Sequence, residues 1–337
     1  MKATALKLAA MALLAAIAPL AAHAQTQKLK FSSFEPPTAA LTSKVMVPWA
    51  DEVSRSSAGA LQIDMYAGGA LGKNPLQQLK LVQDGVADIA WIIPGYTPGR
   101  FEDTDVVALP FATDNAVEAS VALWRMFKRG ELGGFDDLKV LALAATPPVK
   151  IHATTPVSSV GDMKGRKVRA TGDILVRAVE RLGAVPVTLG GGQVAEALSR
   201  GVVDVTLNNW GFVADFKVNE VTSHHLTVPL GNVAVMIAMK KSAFDQLPPA
   251  AQAAIEKSSG EALSLRLGRE FDRIETEYAQ RIATSGRNKI VEPSEAERTA
   301  WKAAVEPVIA DWRKARPKND ELFRSFSAEL AKIRSSQ

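Results

Sequence analysis

The residues of this sequence with chemistry to offer are mostly cations and amides, and the densest group is GDMKGRKVRATGD at 161–173. The step Lys167-Val168-Arg169-Ala170 alternates as a short strand does, so Lys167 and Arg169 share one face and Val168 takes the other. Arg169 stands nearest the Thr171-Gly172-Asp173 turn, at the strand's carboxyl end. An arginine there is either a solvated charge or a fixed anchor for an anion. As an anchor, its planar guanidinium offers a fork to a carboxylate, each charged hydrogen bond contributing about 1.5–3 kcal/mol. Micromolar binding corresponds to roughly −8 kcal/mol, so one fork anchors a ligand and other contacts must supply the remainder. Lys164, Arg166 and Lys167 read as solvated loop or edge charges.

Candidates for the remaining contacts lie elsewhere in the chain. NNWGF, residues 208–212, offers Asn208 and Asn209 as hydrogen-bonding amides and Trp210 and Phe212 as covers for an apolar surface. The same pattern also suits a turn followed by core aromatics. WIIPGYTPGRF, residues 91–101, raises the same choice for Tyr96, with Arg100 structural, and Phe34 is a further apolar candidate. PPVKIHA places Lys150 and His152 on one face of a strand, where either adds a second cation-like contact or stays exposed. TLGGGQVAEAL sets three glycines before a helix but lacks the spacing of a phosphate-binding loop. It reads as a tight strand-to-helix turn whose bare backbone can line a cleft.

Catalytic groups are scarce. Beyond residue 24 the histidines are His152, His224 and His225, and the last two, being adjacent, face opposite sides of a strand and cannot chelate together. The absence of cysteine excludes disulfides, thiolate nucleophiles and Cys-bearing zinc sites. Neither His-Glu-x-x-His nor Gly-x-Ser-x-Gly occurs. Reversible capture fits this inventory better than bond making; a secreted hydrolase built on a scattered Ser/His/Asp set is the less favoured alternative.

These side chains need a scaffold, and the chain supplies an ordered one. Lys2, Lys7, the apolar run LAAMALLAAIAPLAA and Ala22-His23-Ala24 follow the order of a secretory signal, so residues 1–24 are expected to be removed and the remainder exported to a periplasm. Without that segment 38 cations face 36 acids, with no basic stripe for nucleic acid. What remains is longer than one core comfortably serves, which argues for two lobes. KLKFSSF, LQIDMYA and ADIAWII read as strands, separated by a helix over 38–57 and by NPLQQLKLVQDG, a helix with Asn74 capping and Pro75 in its first turn. The order recurs with RKVRA, a helix capped by Asp173, VPVTL, the short helix of GGQVAEALSRG, and VVDVTLN. Gly85-Val86-Ala87-Asp88-Ile89 even matches Gly201-Val202-Val203-Asp204-Val205, each glycine stopping a helix before a strand. Alternation of this kind implies α/β lobes with mainly parallel sheets, and sites beyond the carboxyl ends of their strands. From 248 to 285 the pattern is nearly continuous helix, with a break risk at Ser258-Ser259-Gly260 and a packing stripe at Phe271, Ile274, Tyr278 and Ile282. A capping box, Ser294 to Glu297, opens the next helix.

Six stretches in order, PWADEVSRSSAGALQIDMYAGGALG, DIAWIIPGYTPGRF, ALPF, DMKGRKVRA, ALSRGVVD and FKVNEVTSHH, resemble the solute-binding proteins of tripartite ATP-independent periplasmic (TRAP) transporters, the DctP-type family. The similarity runs from Lys28 to near the C-terminus. It implies a two-lobed periplasmic-binding-protein fold with crossover strands and a long C-terminal bracing helix. Lobe 1 is expected over 25–149, completed by 230–250, lobe 2 over 150–229, and bracing helices over 250–337. The resemblance implies an organic-acid ligand in an interlobe cleft and a membrane permease as partner; a monomer without cofactor is expected, no metal ligands are assigned and metal co-binding is left open, and a sensor-linked binding protein is the alternative. The family's carboxylate-binding arginine falls on Arg169, a ligand-contacting position on Asn208, and a second cation near Lys150. This sequence departs from many relatives at Gln193-Val194-Ala195, at Val205, at Asn209 and in the Gly190–Gly192 run, which leaves the identity of the acid open.

Overall fold

The computed structural model describes residues 26–336, so the expected signal segment lies outside the described residues. Eleven strands are found there: β1 (Gln27–Ser32), β2 (Leu61–Tyr66), β3 (Ile89–Ile92), β4 (Leu138–Ala145), β5 (Lys150–Ala153), β6 (Lys167–Arg169), β7 (Val185–Val187), β8 (Val205–Asn208), β9 (His224–Leu226), β10 (Ala234–Lys240) and β11 (Lys289–Val291). Alternation decides the first two: β1 buries Leu29 and Phe31, and β2 buries Leu61 and Ile63. Central β3 is apolar and buried throughout, as a strand covered on both faces must be.

The strands form two sheets, ordered β2-β1-β3-β10-β4 and β11-β9-β5-β8-β6-β7. Pairs β1–β2, β1–β3, β6–β7, β6–β8 and β9–β11 are parallel. The antiparallel pairs all involve β10 or β5, the two strands the chain lays down just after crossing from one lobe to the other. The crossing segments are bound to each other: Thr146 N–H donates to Val233 O at 3.0 Å, Val149 N–H to Gly231 O at 2.7 Å, and Leu230 N–H to Val149 O at 3.1 Å. Gly231 has φ +110°, and a Cβ there would lie 2.0 Å from the carbonyl oxygen of Ala108, so only glycine fits.

The C-terminal run breaks where expected. Helices span Pro249–Lys257 and Glu261–Ala283, and between them Gly260 N–H leaves the helical path for the Leu141 carbonyl at 2.7 Å. Phe271, Ile274, Tyr278 and Ile282 are buried as one stripe. The long helix packs against the lobe 1 helix Ala116–Lys128 and the lobe 2 helix Trp210–Asp215. It also binds both electrostatically. Asp272 accepts from Ala116 N–H and Val117 N–H (2.7 and 3.0 Å), and Glu275, one turn on, accepts from Trp210 N–H at 2.8 Å. Carboxylates at helix N-termini satisfy donors that the helix cannot.

Two details differ from the sequence reading. Asp173 does not cap its helix: Gly172 is the cap residue, and the Asp173 side chain pairs with Arg177 instead. β11 lies between the helix read to 285 and the one opening at Ser294, where no strand was expected, because three residues are too few for an alternation to register. The Ser294–Glu297 capping box and the Asn74 cap are both present.

Candidate functional site

The carboxyl ends of β1, β3, β4, β6 and β8 converge on a hollow between the two sheets, enclosing about 600 Å³ of space not filled by protein atoms, its mouth included. Lobe 1 contributes Phe34, Glu35, Trp91, Ile93 and Tyr96, and lobe 2 contributes Arg169, Thr171, Asn208, Asn209, Phe212 and Asp215. Thr146, Val149, Val233 and Val235 from the crossings, with Phe271 and Ile274 from the long helix, close the floor. The lobes touch at the rim, where a Cβ on Gly95 would come within 3.3 Å of Gly172 Cα.

Arg169 is 2% exposed. Its Nη1–H donates to Asn208 Oδ1 at 3.0 Å, its Nε–H and an Nη2–H to the Leu189 carbonyl at 3.2 Å each, and the second Nη2–H to Tyr96 Oη across the cleft at 2.7 Å. Phe212 lies under the guanidinium, 5.3 Å from ring centre to Cζ. All of these partners are neutral. Among the described residues no carboxylate comes within 4.0 Å of the Arg169 nitrogens, although the rest of the surface is rich in ion pairs. A buried cation without a counter-ion is costly, and this one faces a cavity.

Asn208 is fixed from behind as well. Its Nδ2 donates to Thr206 Oγ1 at 2.5 Å, and its carbonyl accepts from His152 Nε2 at 3.0 Å. His152 Nδ1 lies 2.8 Å from His225 Nδ1, and burial first, then the neighbouring His225, drives the His152 pKa well below its ordinary value. A neutral His152 with its proton on Nε2 satisfies the Asn208 carbonyl. Asn209 caps the helix Trp210–Asp215, its Oδ1 accepting from Phe212 N–H at 2.9 Å.

Six expected site residues therefore line one cavity: Arg169, Asn208, Asn209, Phe212, Tyr96 and Phe34. Two do not. Trp210 is buried away from the hollow, packed edge-on to His152 with ring centres 4.8 Å apart and against His225 at 5.0 Å. Residues two apart on a helix point about 200° from each other, so the phase that sends Phe212 into the cavity sends Trp210 into the core. Lys150 forms an ion pair with Glu275 and donates to the Pro148 carbonyl at 3.1 Å, bordering a separate polar hollow with Asp114 and Asp272. Burial still holds the Glu275 carboxyl above its ordinary pKa, against the pull of Lys150.

The model of the bacterial extracellular solute-binding protein family 7, DctP, matches residues 31–315. The chain belongs to that family. Membership makes it an extracytoplasmic solute receptor, and its structural likenesses are to the receptors of TRAP transporters. A TRAP solute-binding protein from Rhodoferax ferrireducens, in complex with copurified benzoate, is 30% identical with a TM-score of 0.87, covering 92% of this chain and 99% of that one. A marine metagenome TRAP protein from an unidentified microbe, specific for aromatic acid ligands and co-crystallised with 3-hydroxybenzoate, is 30% identical with a TM-score of 0.86, covering 91% and 99%. The outer membrane transporter protein TsaT of Comamonas testosteroni is 31% identical over 289 residues, 83% of each chain.

The DctP-family cavity also holds residues that sequence reasoning passed over. Glu35, just before Pro36 and Pro37, is pushed up to about 8, by burial first and by Asp215 second. Asp215 itself is pushed up to about 6 by burial, with Arg281 opposing. Trp91, read as a strand residue, is 1% exposed and forms part of the wall. Its indole N–H approaches the Glu35 carboxyl closely enough to draw that pKa down slightly, but the two do not meet in hydrogen-bond geometry, and the N–H has no partner among the described residues. Nothing in the pattern ADIAWII could have signalled an unmet donor.

Proposed function

We propose that this receptor captures a small monocarboxylate with a flat, largely apolar body in the periplasm and passes it to the membrane subunits of a TRAP transporter. The observation that carries the reading is Arg169, a buried guanidinium held by neutral acceptors and facing a cavity with apolar walls. An incoming carboxylate supplies the missing counter-ion. One Nη1 hydrogen is uncommitted, and Tyr96 yields Nη2 for the second arm of the fork. Asn208 has its Oδ1 committed to Arg169, so it presents the guanidinium first; its second Nδ2 hydrogen and the Asn209 amide serve the ligand's remaining lone pairs. Phe34 from one lobe and Phe212 from the other cover the carbon body. Burying about 120 Å² of ring contributes on the order of 3 kcal/mol, and only the closed cleft offers both faces. Differential affinity for that form is what drives closure.

Two further points support a monocarboxylate. Arg169 is the only cation in the wall among the described residues, so a second ligand carboxylate would find no partner. The relatives at 30% identity are found with benzoate and 3-hydroxybenzoate, both flat monocarboxylates. The periplasmic location, the permease and the division for closing between the β1–β4, β10 sheet and the β5–β9, β11 sheet belong to the same reading. A thermal-shift screen of benzoate, phenylacetate, mandelate, succinate and pyruvate tests it, since a ligand selective for the native form raises the Tm with concentration over Kd. Stabilisation by the ring-bearing acids, with the acid recovered unaltered by mass spectrometry, is expected. Stabilisation by succinate alone, or turnover of the acid, would overturn the proposal.

A further inference from the structure

The cavity carries a second polar set besides Arg169 and its amides. Trp91 and Glu35 come from lobe 1 and Asp215 from lobe 2, so the two carboxyl groups face each other across the cleft. The Trp91 Nε1–H is buried and turned towards the Glu35 carboxyl without meeting it in hydrogen-bond geometry, and among the described residues no other hydrogen bond ties either carboxyl side chain. A buried donor left short of its acceptor is costly, and this one borders the ligand cavity, where a ligand atom can complete it.

Each candidate substituent can be weighed against that set. A methyl group leaves the indole N–H unmet and buries the carboxyl groups further. An ammonium satisfies the carboxyls but offers Trp91 no acceptor. A second carboxylate accepts from Trp91 but lies against the Asp215 carboxylate, with no wall cation to offset it. A hydroxyl does both jobs: its oxygen accepts from Trp91 Nε1–H while its hydrogen goes to Glu35 or Asp215.

We propose that Trp91, Glu35 and Asp215 form a second subsite that reads an un-ionised hydroxyl on the body of the captured acid and turns away a second carboxylate. This rests on the reading of Arg169 as the carboxylate anchor and adds a ligand class to it: hydroxylated ring monocarboxylates. The raised pKa of Glu35, about 8, fits the same picture, because a protonated carboxyl next to Asp215 can both donate and accept. Arg281 lies near Asp215 but outside the wall, and it opposes the rise there without reaching the ligand space.

Calorimetry on the full mature chain tests the subsite with benzoate, the three positional hydroxybenzoates and isophthalate. The quantity read is the ratio of Kd values within each protein, so that a general weakening cancels. In the wild type the best hydroxybenzoate is expected to bind at least tenfold tighter than benzoate, and isophthalate weaker than benzoate. In Trp91→Phe the hydroxyl advantage should shrink to under threefold. In Asp215→Asn the advantage should persist while isophthalate gains at least threefold relative to benzoate; this arm decides the matter if Trp91→Phe does not fold. Absence of binding by every aryl acid would overturn the monocarboxylate reading itself. Benzoate binding with no hydroxyl advantage, or an advantage that survives in Trp91→Phe, would overturn the subsite alone.

Discussion

Lys150 and Arg169 are cations of the same lobe, on strands separated only by β8, and their surroundings are opposite. Lys150 ends on the Glu275 carboxylate, so its charge is spent within the fold, where it helps fasten the long helix to the lobe. Arg169 ends on an amide, a carbonyl and a phenol, so its charge is oriented but unneutralised. The comparison teaches that a functional cation is identified by what it lacks. Position on a strand brought both residues into consideration; only the absence of an acid separates the receptor's anchor from its fastening.

The first way to break the comparison is to remove the anchor. Arg169→Ala should weaken the best acid at least a hundredfold by calorimetry, since two charged hydrogen bonds at about 1.5–3 kcal/mol each are lost. Arg169→Lys should recover only part of this, because a point charge does not reproduce the planar fork. A loss below threefold in Arg169→Ala would mean the charge is not used.

A smaller effect comes from pH. Burial raises Glu35 from its ordinary 4.5 to about 8 in the closed cleft, with Asp215 facing it and raised to about 6. A raised carboxyl takes up a proton on closing, so closure is favoured at low pH and loses ground as pH rises through 8. Benzoate affinity should therefore fall between pH 6 and 8, by up to about tenfold per unit where one proton is taken up. The slope should flatten in Glu35→Gln; an unchanged slope there would assign it to another group.

Tyr96→Phe sharpens the contrast from the lobe 1 side. It removes a neutral interlobe hydrogen bond of about 0.5–1.5 kcal/mol, so a change in Kd of roughly two- to tenfold is expected, with Arg169 still in place. Lys150→Met should give the smallest change, under twofold in Kd, yet lower the Tm by several degrees in thermal denaturation as Glu275 loses its partner. Because Glu275 can take up a proton instead, that loss of stability should grow with pH. A large binding defect in Lys150→Met would collapse the distinction between the two cations.

The legibility of the site in the sequence follows the range of each cause. Arg169 was readable because alternation and a following turn place it at a strand's carboxyl end, a purely local fact. Phe212 and Trp210 could not be told apart, since the helix phase is set by Asn209 acting as cap, and NNWGF does not announce where the helix begins. Lys150 misled because its partner lies 125 residues away on the bracing helix. Glu35 hid before two prolines and Trp91 inside a buried strand; their meeting with Asp215 depends on how two lobes face, which no local pattern encodes. The alternating α/β order, the break at Gly260 and the Ser294 capping box were all visible, being set by residues within one or two turns of each other.

A crystal structure of the protein grown with benzoate tests the central claim most directly. The carboxylate is expected within hydrogen-bond distance of Arg169 Nη1 and Nη2, with the ring between Phe34 and Phe212 and the Lys150–Glu275 pair unchanged. Benzoate bound elsewhere, with Arg169 still bonded only to Asn208, Leu189 and Tyr96, would contradict it.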